Sequence, residues 1–326
     1  MANNLKKTSG GVFMGNPITY SVTAEAEPTT SAIAFHQIKV EVKINGKTYP
    51  FSKPVGSSET VEFDVSSAFI AAADRYEFEP ITSEIVFPIY NATITARDVW
   101  MKNGILIDPA PVGGSQPSVS CSAFMGKYSD FERLSPTQSL TFSRKPLSGD
   151  LVCKGDNVVY AKGGAVPVSA IASITASPGT TVTLPNGRKV FVTESSNNSA
   201  IFQFVNSRGV VESIRAWQLK TDKVKTSIEE YTISQIEMFN KLARLYAVKS
   251  NVQDEYYYSS GYVTLEWAMW WLYEFGQSTT YWMLHSGKWI PCRVSVDETA
   301  TLIDKTNNSM CYVSFTCKPN INGGLF

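Results

Sequence analysis

Polar and apolar residues alternate over His36–Ile44, a run of nine residues near the start of the chain that opens with two polar residues. A repeat of two is the period of a β-strand with one buried face. Asn45-Gly46 follows at once, and this dipeptide favours a type I′ hairpin because both central residues take positive φ. Lys47–Tyr49 then supplies the returning strand. The sequence therefore predicts an antiparallel hairpin, and a chain built this way is constrained to form sheets.

Further short alternating segments follow this hairpin. Val61–Val65 alternates again, and strand-like runs continue at Ile85–Phe87 and Thr93–Ala96. An alanine-rich stretch over Val65–Tyr76 predicts one or two helical turns between strands. Short strands at this spacing are typical of an antiparallel β-sandwich.

Proline and glycine indicate how the strands are divided into domains. The segment 109–117 holds three prolines and two glycines. Proline lacks a backbone N–H donor and glycine leaves the backbone conformation less restrained, so this segment is predicted to be a linker. We expect a flexible arm over 1–11, a β-sandwich domain over 12–108, this linker, a second β-rich domain over 118–195 and a C-terminal α+β domain over 196–326. The predicted fold class is mainly β: an N-terminal antiparallel β-sandwich, further β-rich domains, and one short aromatic-rich α-helix in the C-terminal domain.

The segment 228–249 fits two kinds of secondary structure. Apolar residues from Ile236 to Leu245 recur at helical spacing, with glutamates early and basic residues late. Leu242 to Val248 also alternates in the manner of a strand. Propensity favours a helix in the first part of the segment, and the strand remains the alternative.

Charge and composition exclude several classes of function. Lys plus Arg and Asp plus Glu both total 29, so the formal net charge is zero. A general nucleic-acid coat or a polybasic membrane binder would carry a basic excess. Only 18% of the residues are charged, below the roughly 25% of an average domain, and a lightly charged neutral surface resists self-association poorly. The composition therefore favours a protein that lives in an assembly.

No stretch of the sequence predicts export or membrane insertion. Residues 1–15 contain two lysines but no apolar core of a signal peptide, so no secretory signal is expected. The densest apolar run, Trp267–Tyr273, has seven residues, whereas a membrane-spanning helix needs about 20.

Residues suited to catalysis or metal binding are scarce. The two histidines, His36 and His285, are expected to be surface or structural residues, and no nucleophile elbow or phosphate-binding loop occurs. The cysteines show no CxxC spacing, so we expect buried thiols in a reducing compartment rather than a zinc site. They are Cys121, Cys153, Cys292, Cys311 and Cys317. The sequence therefore predicts no enzyme activity, no metal and no cofactor.

Tryptophan is concentrated near the C-terminal end of the chain, where five of the seven lie within 23 residues. Thr264 fits a helix N-cap and Gly276 fits a helix stop, which predicts a helix between them. On that helix Trp267, Trp270 and Trp271 recur at i, i+3 and i+4 and therefore share a face.

This helix is predicted to have no polar side apart from Glu266 and Glu274 at its ends, whereas a surface helix normally has one. One interpretation is that it is buried between two layers of its own domain. A second is that Trp267, Trp270 and Trp271 form a subunit interface, because Trp and Tyr commonly anchor protein contacts. A carbohydrate-binding platform is a third.

Several segments resemble structural proteins from phages and prophages of Bacteroidota. Gly15-Asn16-Pro17-Ile18 is similar to the opening of that group, and Phe204–Ile214 is similar to its F-[LV]-N-x-x-G-x-x-[DE]-[ST] segment. Ser259–Val263, the aromatic helix and Trp289–Val294 resemble its C-terminal pattern in the same order. The resemblance implies a tail, tail-tip or baseplate component and carries over no enzyme residues.

The sequence and this resemblance together predict a structural virion protein of a phage tail, neck or baseplate. It would act through homo-oligomeric ring or hub contacts, with copies of itself and neighbouring virion proteins as partners. It would be synthesised in the host cytoplasm, with no sequence-specific nucleic-acid binding and no membrane insertion. The alternative is a receptor- or glycan-binding adhesin module.

Overall fold

Strands make up most of the structure, a computed structural model, and this confirms the predicted mainly β fold. The described residues are 5–10, 13–24, 33–74, 76–102, 105–107, 118–127, 141–233, 244–296 and 311–320. The elements of the first half are β1 (Lys6–Gly10), β2 (Ile18–Thr23), β3 (Ile33–Ile44), β4 (Lys47–Pro54), β5 (Thr60–Asp64), α1 (Ser66–Ala73), β6 (Ile85–Val86), β7 (Ile89–Lys102), β8 (Ile105–Ile107) and β9 (Ser118–Phe124).

The second half contains eleven more strands and a helix that changes its hydrogen-bond spacing midway. They are β10 (Asp150–Cys153), β11 (Asn157–Ala161), β12 (Val168–Ser173), β13 (Thr181–Thr183), β14 (Lys189–Thr193), β15 (Ser199–Val205), β16 (Val211–Ile233), β17 (Arg244–Ser259), α2 (Leu265–Trp270) with its π-helical continuation (Trp271–Phe275), β18 (Tyr281–His285), β19 (Lys288–Val296) and β20 (Ser314–Pro319).

The N-terminal hairpin forms as the alternation predicts. β3 and β4 pair antiparallel, and Asn45 and Gly46 between them have φ of 49° and 79°. β3 also pairs with β7, and the sheet order is β4-β3-β7-β8, with β9 paired to β7 as well. Because successive residues of a strand point to opposite faces, Ile38, Val40 and Val42 are buried on one side of this sheet.

A smaller sheet, ordered β1-β2-β5, shares a hydrophobic core with this five-stranded sheet. Ile18 and Tyr20 from the small sheet lie in one cluster with Val40 and Ile94 from the large one. Two antiparallel sheets around one core form the β-sandwich that the sequence predicts. The predicted flexible arm over 1–11 differs from the structure, because Lys6–Gly10 pairs with β2.

The sheets do not follow the domain boundaries predicted from proline and glycine. β9, expected in the second domain, pairs with β7 of the sandwich, and β6 of the sandwich pairs with β12 of the second domain. The predicted linker at 109–117 lies outside the described residues. The middle of the chain has its own small core around Val152, Val158 and Val190.

The C-terminal part is a closed six-stranded barrel in the order β15-β16-β17-β20-β19-β18, with β18 pairing back to β15. Aromatic side chains fill it: Phe202 lies 5.4 Å from Tyr258 and 5.6 Å from Phe315 between ring centroids. The prediction of a helix in the first part of 228–249 is wrong where the structure describes that segment. Residues 228–233 and 244–249 are strand, because β16 and β17 continue their antiparallel pairing there.

A candidate interaction surface on the tryptophan helix

The tryptophan helix, Leu265–Phe275, starts and ends where the sequence predicts. Thr264 is the N-cap with extended backbone, and its carbonyl accepts from the Ala268 N–H at 2.9 Å. Gly276 ends the helix for a different reason than expected. Its φ is −66°, so no left-handed turn is needed. A Cβ there would lie 2.7 Å from a Val296 methyl group, so close packing requires the glycine.

The three tryptophans belong to the buried hydrophobic cluster of the C-terminal part of the chain. Trp267, Trp270 and Trp271 are 4%, 4% and 1% exposed. Trp271 stacks on Phe315 at 5.8 Å and packs edge-to-face on Phe275 at 4.7 Å between ring centroids. The predicted subunit interface at these three residues is therefore not supported, because they present almost no surface to a second chain. The alternative interpretation, a helix buried in its own domain, describes this face.

The opposite side of the same helix is exposed and mostly apolar, with Glu266 as its charged residue. Leu265, Met269 and Tyr273 recur at intervals of four residues and are 47%, 39% and 48% exposed. Tyr262 and Tyr312, which flank the helix start, are also exposed and place their ring centroids 6.2 Å apart. We call Leu265, Met269, Tyr273, Tyr262 and Tyr312 the outer face. The sequence showed that the helix lacks a polar side, and the structure shows which apolar side remains uncovered.

A groove of about 350 Å³ lies at the C-terminal end of the helix. Tyr273 and Gln277 form one wall, and the β-sandwich contributes Met14 and the exposed Ile70 to the other. Lys127 lines it as well. The outer face therefore ends at a concave site with both apolar and polar groups, an arrangement suited to the side chains of a bound macromolecule or to a sugar.

Glu274 holds the helix end against the rest of the molecule. Its carboxylate is buried, and it accepts from the Ser207 N–H at 3.0 Å, from the Ser207 hydroxyl at 2.8 Å and from Arg144 at 2.9 Å. Hydrogen bonds to a charged acceptor are roughly twice as strong as neutral ones. Glu274 therefore fixes the position of the outer face relative to the β15–β16 turn.

The β15–β16 turn, residues 206–210, is held by side-chain hydrogen bonds and by a glycine. Asn206 accepts from the N–H groups of Arg208 and Val210 and donates to the carboxylate of Glu212. Gly209 has φ of 72°, and a Cβ there would lie 2.7 Å from the Met125 backbone. Residues 206–210 thus form a tight turn that packs against the segment after β9.

A buried ionic cluster lies next to this turn and is joined to it by the hydrogen bond from Asn206 to Glu212. Glu212 is fully buried and accepts from Ser143 at 2.7 Å and from Arg188 at 3.3 Å. Lys145 pairs with Asp150 and donates to a backbone carbonyl at 2.8 Å. Its ammonium also lies over two tryptophan rings of the helix, at 5.7 and 5.4 Å.

Burial lowers the pKa of Lys145, while the neighbouring Asp150 opposes that shift. The surroundings of this ammonium are occupied by Asp150, the Ser213 carbonyl and the indoles of Trp267 and Trp270. Paired and enclosed in this way, the lysine joins the 141–150 segment to the helix and to β16.

The other candidate residues do not form a reactive site. His36 is buried, hydrogen-bonds Asp98 at 2.7 Å and stacks on Trp100 at 5.3 Å, so it is structural, whereas His285 is exposed at the end of β18. The five cysteines all lie in described parts of the chain; four are buried, Cys292 is half-buried, and none forms a disulfide. Within the described ranges no group of three or more His, Cys, Asp or Glu could hold a metal ion.

Comparison with protein-family models and with curated proteins gave no match. Among the helices that the structure describes, none has the length and apolar character needed to cross a membrane.

Proposed function

We propose that the chain is a structural subunit of a bacteriophage tail, neck or baseplate. It associates there with copies of itself and with neighbouring virion proteins through homo-oligomeric ring or hub contacts, after synthesis in the host cytoplasm. The observation that carries the proposal is the outer face of the tryptophan helix, which presents an apolar stripe beside a groove. Exposed apolar patches of this kind mark interaction sites.

The way the helix is held supports this role. Its inner face packs on Phe315 and Phe204, and its end is fixed by Glu274. A helix whose backbone is already held in place does not have to be ordered on binding, and this lowers the cost of association. Because aromatic residues and Met are enriched at protein interfaces, Met269 and Tyr273 suit a contact with another protein subunit.

The buried charges also support a structural rather than a catalytic role. Glu212, Glu274 and Lys145 connect distant segments of the chain and are enclosed by their partners. The near-neutral, lightly charged composition favours association as well. The resemblance of the Asn206–Glu212 turn to phage structural proteins supports the virion assignment specifically.

A receptor- or glycan-binding adhesin is the second candidate, and the groove favours it. An exposed tyrosine, Tyr273, beside the polar groups of Gln277 and Lys127 is suited to stacking on a sugar ring and bonding its hydroxyls. Binding of glycans to purified wild-type protein, lost in Tyr273→Ala and retained in Met269→Ala, would favour this candidate.

Photo-crosslinking in assembled particles tests the main proposal. A photoreactive amino acid at position 269 is expected to crosslink to a second copy or to another virion protein, because the outer face would be covered there. The matched control places the same group at Ile105, which is 69% exposed on the strand β8. Crosslinking at 269 that captures no protein, or absence of the chain from purified particles, would contradict the proposal.

A further inference from the structure

The hairpin of β16 and β17 extends far beyond the barrel. β15 pairs with β16 only as far as Trp217, and β20 pairs with β17 only from Tyr256 onward. The pairing of β16 with β17 nevertheless continues to Ile233 opposite Arg244. At roughly 3.3 Å per residue, the stretch of β16 from 222 to 233 spans about 40 Å. We call residues 222–233 and 244–255 the ribbon.

Within the described residues, neither outer edge of the ribbon pairs with a third strand. An isolated two-stranded ribbon is marginally stable in water, and three or more strands are needed for independent stability. An edge strand also presents a row of unpaired N–H and C=O groups that accept an added strand. The edges of the ribbon therefore offer backbone groups to which a further strand can pair.

The order of charges along β16 indicates which chain can supply that strand. Its ribbon segment carries Asp222, Lys223 and Lys225 in the first half and Glu229 and Glu230 in the second half. When two copies of this strand pair antiparallel about a twofold axis at Ser227, Lys225 of each copy lies opposite Glu229 of the other, and Lys223 is diagonal to the same Glu229. Opposite charges across an antiparallel pair are favourable and like charges are unfavourable. A parallel pairing in register would place lysine opposite lysine.

We propose that the β16 edge of the ribbon pairs antiparallel with the β16 edge of a second copy of this chain. The product is a four-stranded sheet in the order β17-β16-β16-β17. A twofold contact uses the same surface on both copies and closes on itself, so it produces a dimer. This contact is separate from the outer face of the helix and goes beyond the proposed function, since it holds whether or not the chain belongs to a virion.

Charge exchange between copies tests the contact. One variant, Lys223→Glu with Lys225→Glu, makes the whole edge acidic, and the other, Glu229→Lys with Glu230→Lys, makes it largely basic. All proteins also carry Met269→Lys, so that association through the helix does not contribute. Light scattering after size exclusion is expected to give a dimer, about twice 35.9 kDa, for the parent and a monomer for each variant. An equimolar mixture of the two is expected to return to the dimer mass.

Recovery of the dimer on mixing distinguishes loss of the contact between copies from disruption of the β16–β17 pairing within one copy. Lys223 and Glu229 lie opposite Glu255 and Lys249 in the antiparallel register of their own ribbon. Any defect there persists after mixing, so recovery of the dimer reports contact between copies. The control, Lys43→Glu with Lys47→Glu on the exposed side of the β3–β4 hairpin, changes the net charge equally and is expected to stay dimeric. A monomeric parent, charge variants that stay dimeric, or a mixture that stays monomeric would overturn the proposal.

Discussion

Glu274 of the tryptophan helix accepts hydrogen bonds from both the backbone N–H and the hydroxyl of Ser207, at 3.0 and 2.8 Å. The same carboxylate pairs with Arg144 at 2.9 Å. One buried side chain therefore joins the helix, the β15–β16 turn and the segment before β10. The position of the outer face depends on this junction.

Removing the charge of this junction is expected to destabilise the protein. Glu274→Gln keeps an acceptor for the Ser207 N–H but loses the ion pair with Arg144, and we expect the free energy of unfolding to fall by about 1–3 kcal/mol. Urea unfolding measures this. Glu266→Gln, at the exposed start of the same helix, is the matched control and is expected to change stability by less than about 0.5 kcal/mol. Equal effects of the two substitutions would show that the ion pair of Glu274 with Arg144 contributes nothing to stability.

The two faces of the helix are expected to respond differently to truncation. Trp271→Ala removes a side chain that is 1% exposed and leaves a cavity against Phe315, so the free energy of unfolding should fall by about 3–5 kcal/mol. Met269→Ala removes an exposed side chain and is expected to cost under about 1 kcal/mol. Thermal or urea unfolding of the isolated chain checks both. A small effect of Trp271→Ala would contradict the buried position of this side chain and would again favour a surface role for the tryptophans.

Local patterns predicted much of the fold. The alternation from His36 to Ile44 and the Asn45-Gly46 turn gave the β3–β4 hairpin, because their information lies within a few neighbouring residues. The bounds of the tryptophan helix were predicted for the same reason. Pairings between distant segments were not predicted: β9 adds to β7 and β6 adds to β12, and no local signal specifies which edge a strand joins.

The predicted interface residues Trp267, Trp270 and Trp271 lie on the buried face of the helix. Spacing shows that Trp267 and Trp270 share one face while Leu265 and Met269 share another, yet it does not say which face meets the barrel. Size decides this, because the indole rings fill the barrel interior and bury more apolar area than Leu or Met. The buried role of Glu274 was also missed, since its partners Ser207 and Arg144 are distant in sequence.

Breaking the buried ion pair of Lys145 and Asp150 on one side is expected to be costly. Both side chains are almost fully buried, so Lys145→Met leaves an uncompensated carboxylate and should lower the free energy of unfolding by about 3–5 kcal/mol. The double variant with Asp150→Asn removes both charges and should recover part of that loss. A double-mutant cycle by urea unfolding measures the coupling; additive single effects would contradict the ion-pair assignment.

The free energy of unfolding is expected to fall at alkaline pH because of the ionisation of Tyr281. Burial raises the pKa of Tyr281 well above its ordinary value of 10.0, and its hydroxyl donates to the Phe275 carbonyl. Above pH 10 the unfolded chain loses this proton while the folded chain keeps it, so the free energy of unfolding falls as the pH rises. One such group contributes up to about 1.4 kcal/mol per pH unit.

Tyr281→Phe isolates this contribution. Urea unfolding at several pH values between 7 and 11 is expected to show a constant difference from wild type below pH 9, caused by the lost hydrogen bond. Above pH 10 the variant should lose stability less steeply than wild type. Parallel curves over the whole range would mean that Tyr281 ionises alike in the folded and unfolded chains.

We propose that the outer face of the tryptophan helix joins this chain to other subunits. Incorporation of Met269→Lys and Tyr273→Lys into particles, measured beside unfolding of the isolated chains, tests it most directly. Lysine has nearly the helix propensity of methionine, so Met269→Lys should unfold within about 0.5 kcal/mol of wild type. We predict that both variants fold but fail to enter particles, while the control Ile105→Lys folds and assembles. Assembly of both helix variants at the wild-type level would contradict the account.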